Sequence, residues 1–321
     1  IPIGGEGGWD ILTIDSGAHR LYLSHSTKVE VIDLKKNALL GEIADTPGVH
    51  AFVAVPALGR GFSTNGKEAK ASVVDLKTLK TISKVDTGEG PDDAVYDKSR
   101  RELYVFNHHG NSATVIDAKR AKVVTTIQLG GSPEFAAIDA SAGWVYCNIE
   151  DKNEVVAIDT TKHKVVAHWP LAPGEGPSGI ALDAAHHRVF STCDNQLMTM
   201  LDTESGQVVA TVPIGHGPDG CAFDDKAQLA FASCGEGVTT IAKEEAPDKL
   251  TVVQSLKTER GARTMALDPA TQRIYLPTAQ YEPTPTPAPG VPRQRPKVSP
   301  KSFKLMIYKP EQAAKAKADA R

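Results

Sequence analysis

The sequence predicts an all-β fold: a seven-bladed β-propeller with four antiparallel strands per blade. Three observations predict it: two half-signatures repeated at one period, short β-rich runs between turn residues, and an N-terminus that resembles the end of an internal unit. The first half-signature is an apolar run ending in Asp. It appears as DILTID (Asp15), DDAVYD (Asp97), EFAAID (Asp139), GIALD (Asp183), CAFD (Asp224) and TMALD (Asp268), and HAFVAVP, ending at Pro56, is a seventh copy. Successive copies end 41 to 44 residues apart. The second is VEVIDLK, SVVDLK, TVIDAK, VAIDTT and TMLDTE, with Asp33, Asp75, Asp117, Asp159 and Asp202. Self-similarity at a fixed period of this length marks a repeat architecture.

Each unit reads as four short strands. In the third, DAVYD (93–97), LYVFN (103–107), ATVID (113–117) and KVVTTIQLG (122–130) are separated by Gly, Asn, Ser, Lys and Arg turns. The runs are β-branched and aromatic, as strands require, and none shows sustained helical spacing. A β-solenoid or paired sandwiches also use short strands, but four per repeat suits a propeller blade. The last unit has TMALD, RIYLPT (273–278) and FKLMIY (303–308) and no fourth strand, while IPIGGEGG resembles TIQLGGSPE and TVPIGHGPD. Ile1–Ile3 are therefore expected to complete the last blade and close the ring, removing sheet edges.

LYVFN has counterparts in LYLSH, VYCNI, VFSTC, LAFASC and IYLPT. On these strands the chain resembles the YVTN-type seven-bladed β-propeller family over about residues 1–310. The resemblance implies a fold shared with periplasmic binding proteins, surface-layer proteins and propeller domains of electron-transfer enzymes. Its motif is structural and transfers no catalytic residue.

The net charge of −3 argues against a general nucleic-acid binder, and no 18-residue apolar run suggests a membrane span. The chain starts at Ile1 without Met or a signal-like region. This reads as a mature chain after signal removal or a trimmed one, and the resemblance places it in the periplasm or outside the cell. Cys147, Cys193, Cys221 and Cys234 form no CxxC or CxxCH, so covalent haem is not expected, and buried free thiols are. The propeller is read as one domain over residues 1–310. Within it, residues 279–301 hold seven prolines and read as an extended insertion, a surface flap or a docking arm. Residues 311–321 read as a flexible tail.

The loops leading into the innermost strands define one rim of the channel. Aligned on the strand-end Asp, one position per blade reads Asp10, Ala51, Asp92, Glu134, Ser178, Asp219 and Arg263, and Trp9 and His50 stand where the other blades mostly carry Pro. Carboxylates gathered around one axis repel, which favours a bound cation, an Arg partner or raised pKa values. Asp10, Asp92, Glu134 and Asp219 suit Ca²⁺, and His50 extends the choice to a transition metal. Arg263 is expected to pair with a carboxylate or clamp a ligand's, Trp9 to offer an apolar face, and Ser178 to join the ligand site. Turn capping by the acidic residues around a water-filled channel is the structural alternative.

Second-strand ends place His25, Asn65, Asn107, Ile149, Cys193, Cys234 and Thr278 at one level, where Asn mostly serves turns. His108–His109 is a weak metal signal, because adjacent strand residues point apart. His186–His187 reads as solvated surface. Glu150, Asp151, Glu175 and Asp194 are expected to widen an acidic funnel. No GxSxG, HExxH, Walker A or EF-hand pattern is present. The leading expectation is a non-catalytic binding or accessory protein taking a metal ion or small polar ligand at the rim. A metal-assisted lyase or lactonase-type hydrolase is the alternative, with Glu134 or His50 as general base and Asp10, Asp92 and Asp219 holding the metal. A third is a protein-interaction scaffold using the disc face and the Pro-rich insertion.

Overall fold

The computed structural model of the chain describes residues 1–282 and 297–311. Its strands form seven sheets, six of four strands and a last one of three, each a meander in sequence order. Blade 1, for example, comprises Trp9–Asp15, Arg20–His25, Lys28–Asp33 and Ala38–Ile43. The first strand of each blade lies beside the first strands of its neighbours, and blade 7 returns to blade 1. The molecule is thus the expected seven-bladed propeller, with the first strands lining the axis.

Period-2 alternation explains the packing. In the second strand of blade 1, Leu21 and Leu23 face blade 7, with Tyr275, Phe303 and Leu305. Tyr22 faces blade 2 and stacks on Phe52 at 4.6 Å between ring centroids. There are seven such apolar clusters, one per junction between blades. The core is therefore a ring of sandwiches, and no blade buries both faces alone.

The repeated aspartates are turn staples. Asp33 Oδ1 accepts the backbone N–H groups of Lys35 and Lys36 at 2.9 Å. Asp75, Asp139, Asp159, Asp183, Asp202 and Asp224 do the same two and three residues on. The most regular feature of the sequence is thus Asx-turn chemistry. It sits at the end of each strand pair opposite the rim.

Ring closure follows the sequence reading. Pro2 bridges Lys304 antiparallel, the Ile1 nitrogen donates to Leu305 O at 2.7 Å, and Leu305 N–H donates to Ile1 O at 2.8 Å. His25 is buried at this seam rather than exposed at a site. Its Nδ1 donates to the buried Glu30 at 3.0 Å, and its ring lies 4.4 Å from that of Phe303. The base of the Pro-rich insertion is a short ladder in which Tyr281 pairs Val298. Expectations for its middle, 283–296, and for 312–321 fall outside the described residues. All four cysteines are free, and Cys221 alone is partly exposed. Among the described residues no helix is long and apolar enough to cross a membrane.

Inner strands crowd near the axis, and Gly179 permits one close approach. A Cβ there would overlap Asp219 O and lie 2.7 Å from Cys221 N. Backbone cannot swing aside as a flexible side chain can. Gly179→Ala is expected to lower stability by about 2 to 3 kcal/mol, read as a fall in the denaturant midpoint at constant slope. An unchanged midpoint would show that the inner ring breathes enough to accept a methyl.

Candidate functional site

Rim residues are aimed by a recurrent turn. Gly48, Gly90, Gly176 and Gly217 sit at φ 60 to 64°, a left-handed conformation that glycine adopts at no steric cost. After it the chain turns into the channel. The following residues are then locked between blades by hydrogen bonds to their carbonyls. Asn148 Nδ2 donates to Ser178 O at 2.8 Å, Thr264 Oγ1 to Asp10 O at 3.0 Å, Thr64 Oγ1 to Asp92 O at 2.5 Å and Ser233 Oγ to Arg263 O. Each donor belongs to the preceding blade, so the positions of the rim side chains are set by the ring as a whole.

The side chains form a belt of alternating charge. Ser178 Oγ donates to Asp219 Oδ1 at 2.9 Å. Arg263 pairs with Asp219 and reaches Asp10 at 3.8 Å. His50 Nδ1 lies 2.7 Å from Asp10 Oδ2 and 3.1 Å from Asp92 Oδ1. His108 Nδ1 lies 2.8 Å from Glu134 Oε1 and 3.2 Å from Pro133 O. Two groups of three ligand atoms lie within 4.8 Å of one another: Asp10, His50 and Asp92, then Asp92, His108 and Glu134. Asp92 belongs to both.

Charge sets the protonation. Although burial opposes its charge, the hydrogen bond to Asp10 and the charge of Asp92 raise His50 to about 9. The hydrogen bond to Glu134 raises His108 to about 9 as well. Both imidazoles are therefore cationic at neutral pH. Burial, and then the Asp10 charge, push Asp92 well above the usual carboxylate range. Burial raises Asp219 to about 6 against the opposing pull of Arg263. Glu150 and Asp194 also titrate high, through burial and the nearby Glu134 charge, and so share the rim's field.

Several expectations are corrected in detail. Trp9 offers no ligand face: it is 7% exposed and stacks on Phe303 at 5.0 Å, with Tyr281 at 6.3 Å. Blade 7 and the base of its insertion supply these aromatic partners, so the indole fills the blade 1–blade 7 junction. Asp219 is held by Arg263 and Ser178 and lies outside both ligand groups. Asp151 ties two loops of blade 4 together, its Oδ1 accepting Ser132 N–H at 2.7 Å. Asn107 binds Ser112 and Thr114 on the next strand, inside the blade.

His108 is brought to the rim, although adjacency to His109 is a poor guide to it; its place at the end of a second strand, on the rim face, is the better signal. Asp93 was also missed. Buried beneath Asp92, it accepts Ala136 N–H at 2.8 Å and ties blade 3 to blade 4. Burial raises its carboxyl to about 7, partly offset by that bond. A raised pKa contributes stability that is present below the ordinary value and lost as pH rises through about 7. Asp93→Asn keeps one acceptor and removes the ionisation. It is expected to stabilise the protein at pH 8 by up to about 4 kcal/mol and to leave it little changed at pH 4. Melting temperatures across that range test this, and parallel curves for variant and wild type would refute it.

The comparisons with known proteins fit the fold. No family model matches the chain. It is 28% identical over 96 residues to YncE of Salmonella typhi, and equally to YncE of Salmonella typhimurium strain LT2, spanning 29% of this chain and 27% of each relative. The chain therefore matches about a quarter of the length of these curated relatives. Among solved structures, a chain of Kuenenia stuttgartiensis hydrazine synthase superposes with a TM-score of 0.76 at 18% identity, covering 85% of this chain and 94% of that one. A chain of a mitotic checkpoint complex gives 0.75 at 10% identity, covering 94% and 90%. At these identities the likeness shows the propeller fold alone.

Proposed function

We propose that this chain is a periplasmic or extracellular binding propeller of the YVTN repeat type, and that its rim takes a divalent metal ion centred on Asp92. The observation that supports this is the sharing of Asp92 between two His–carboxylate groups. Asp10, His50, Asp92, His108 and Glu134 together offer three carboxylates and two imidazoles, a donor set that favours a transition ion over Ca²⁺. The ion would replace imidazole protons and relieve repulsion among Asp10, Asp92 and Glu134. Arg263 balances Asp219 on the far side.

Binding rather than catalysis is the reading supported. His50 is protonated and held between two carboxylates, and Glu134 is paired with His108. A general base needs a free proton site near the working pH, and a His50 raised to about 9 does not offer one. The role is therefore an accessory one, in which the rim holds an ion or an ion-bearing small ligand.

Elemental analysis of protein purified without chelator, beside an EDTA-treated sample reloaded with Zn²⁺, tests this. Retention by wild type of one equivalent that Asp92→Asn/Glu134→Gln lacks is the expected result. Because bound imidazoles must be neutral, affinity should rise with pH up to about 9, about tenfold per unit for each proton displaced. Absence of metal in both samples, or a flat pH profile, would overturn the reading.

A further inference from the structure

On the opposite face of the disc, blade 6 departs from the repeat. In blades 1 to 5 the third strand stops at a turn-stapling Asp such as Asp33 or Asp202. Here the sequence reads TTIAKEEAPDK, and the hairpin runs on as Val238–Ala246 and Lys249–Lys257, nine residues each. The extra length leans over blade 5. Arg188 Nε, of blade 5, donates to Pro247 O in its turn at 2.9 Å, while Glu244 N–H keeps the repeat's usual bond within its own blade, to Gln228 O at 3.0 Å.

The extension delivers Glu244 to the turn that ends the inner strand of blade 5. There His186 Nδ1 lies 2.7 Å from Asp183 Oδ2. One ligand atom from each of Asp183, His186 and Glu244 lies within 4.8 Å of the others. Glu244 is 8% exposed, and its Oε2 has no hydrogen-bond partner. A buried carboxylate oxygen left without a donor is costly. Arg188 does not supply one. Its bonds go to Asp202, Pro247 O, His186 O and His187 O. Asp225 adds a further negative charge beside Asp183. His186, by contrast, has a side chain 56% exposed, which leaves the group open to solvent.

We propose that Asp183, His186 and Glu244 form a second divalent transition-metal site, separate from the rim and independent of its function. Two carboxylates and one imidazole are a familiar protein donor set for Zn²⁺ or Mn²⁺, with water completing the shell. The ion would bond the orphaned Glu244 oxygen and pin the blade 6 extension onto blade 5.

Titration of EDTA-stripped full-length protein with Co²⁺, followed by visible absorption, and with Zn²⁺ by calorimetry, tests this. His186→Ala lies at the surface and Glu244→Gln is isosteric, so the fold survives both. Each is expected to weaken one equivalent at least tenfold while the Asp92-dependent equivalent persists. In Asp92→Asn/Glu134→Gln the reverse should hold, one equivalent remaining and depending on His186. If His186→Ala and Glu244→Gln bind the same number of equivalents as wild type with the same affinity, or if wild type binds only what Asp92→Asn/Glu134→Gln removes, this site does not exist.

Discussion

Deleting Ile1–Ile3 is expected to lower the melting temperature by about 10 °C. Three backbone hydrogen bonds link Ile1 and Ile3 to Phe303 and Leu305, each contributing about 1 kcal/mol net. Ile1 and Ile3 add half-buried apolar surface against the blade 1–blade 7 cluster, about 1 kcal/mol each. The sum is about 5 kcal/mol before the strand's own ordering entropy is subtracted, and a kcal/mol moves the midpoint of a chain this size by about 2 to 4 °C. A local consequence is expected too. Lys304–Tyr308 becomes an exposed edge, and its amides should exchange faster than those of blade 3. His25 and Glu30 are buried at the same seam, so fraying would admit water to a hydrogen-bonded pair that the closed ring keeps dry. A midpoint within 2 °C of wild type would mean that blades 1 and 7 are held by side-chain packing alone.

The fold was readable because its signals are periodic. Asp33, Asp75 and their counterparts recur since every blade must make the same tight turn, and the β-branched runs recur since every blade is sandwiched between two others. The rim was readable by position for the same reason. Once the repeats are aligned, Asp10, Asp92, Glu134, Asp219 and Arg263 fall at one level of the axis. What the alignment could not supply is the direction of each side chain. Trp9 occupies a rim position but turns into the core, because the partners that receive it, Phe303 and Tyr281, are some 270 to 290 residues away, in the last blade and the base of its insertion. His108 comes to the rim from a second-strand end, a place outside the aligned rim positions. Glu244 lies where the repeat fails, and there alignment carries no information. At residues 238–257 the hairpin outgrows its blade and buries a carboxylate on its neighbour.

Asp92→Asn is expected to change binding and stability in opposite directions. Asp92 is the one donor common to both His–carboxylate groups, so replacing it should weaken metal binding about a hundredfold, whereas His50→Ala and His108→Ala should each cost about tenfold. In metal-free protein the sign reverses. Burial, followed by the charges of Asp10 and Glu134, raises the carboxyl of Asp92, and His50 only partly offsets them. A raised acid favours the fold while protonated and loses that contribution as it ionises with rising pH. Asparagine cannot ionise, so the metal-free variant should melt higher than wild type at pH 8 and close to it at pH 4. Added Zn²⁺ should raise the wild-type midpoint in proportion to the logarithm of its concentration above the dissociation constant, and the two curves should cross. This pattern separates a binding site from a merely repulsive cluster. A repulsive cluster predicts the stabilisation but no metal-dependent shift in wild type beyond the one the variant shows. An ordinary salt-bridged turn predicts the reverse, a variant less stable at every pH, since His50 would lose a carboxylate and gain nothing.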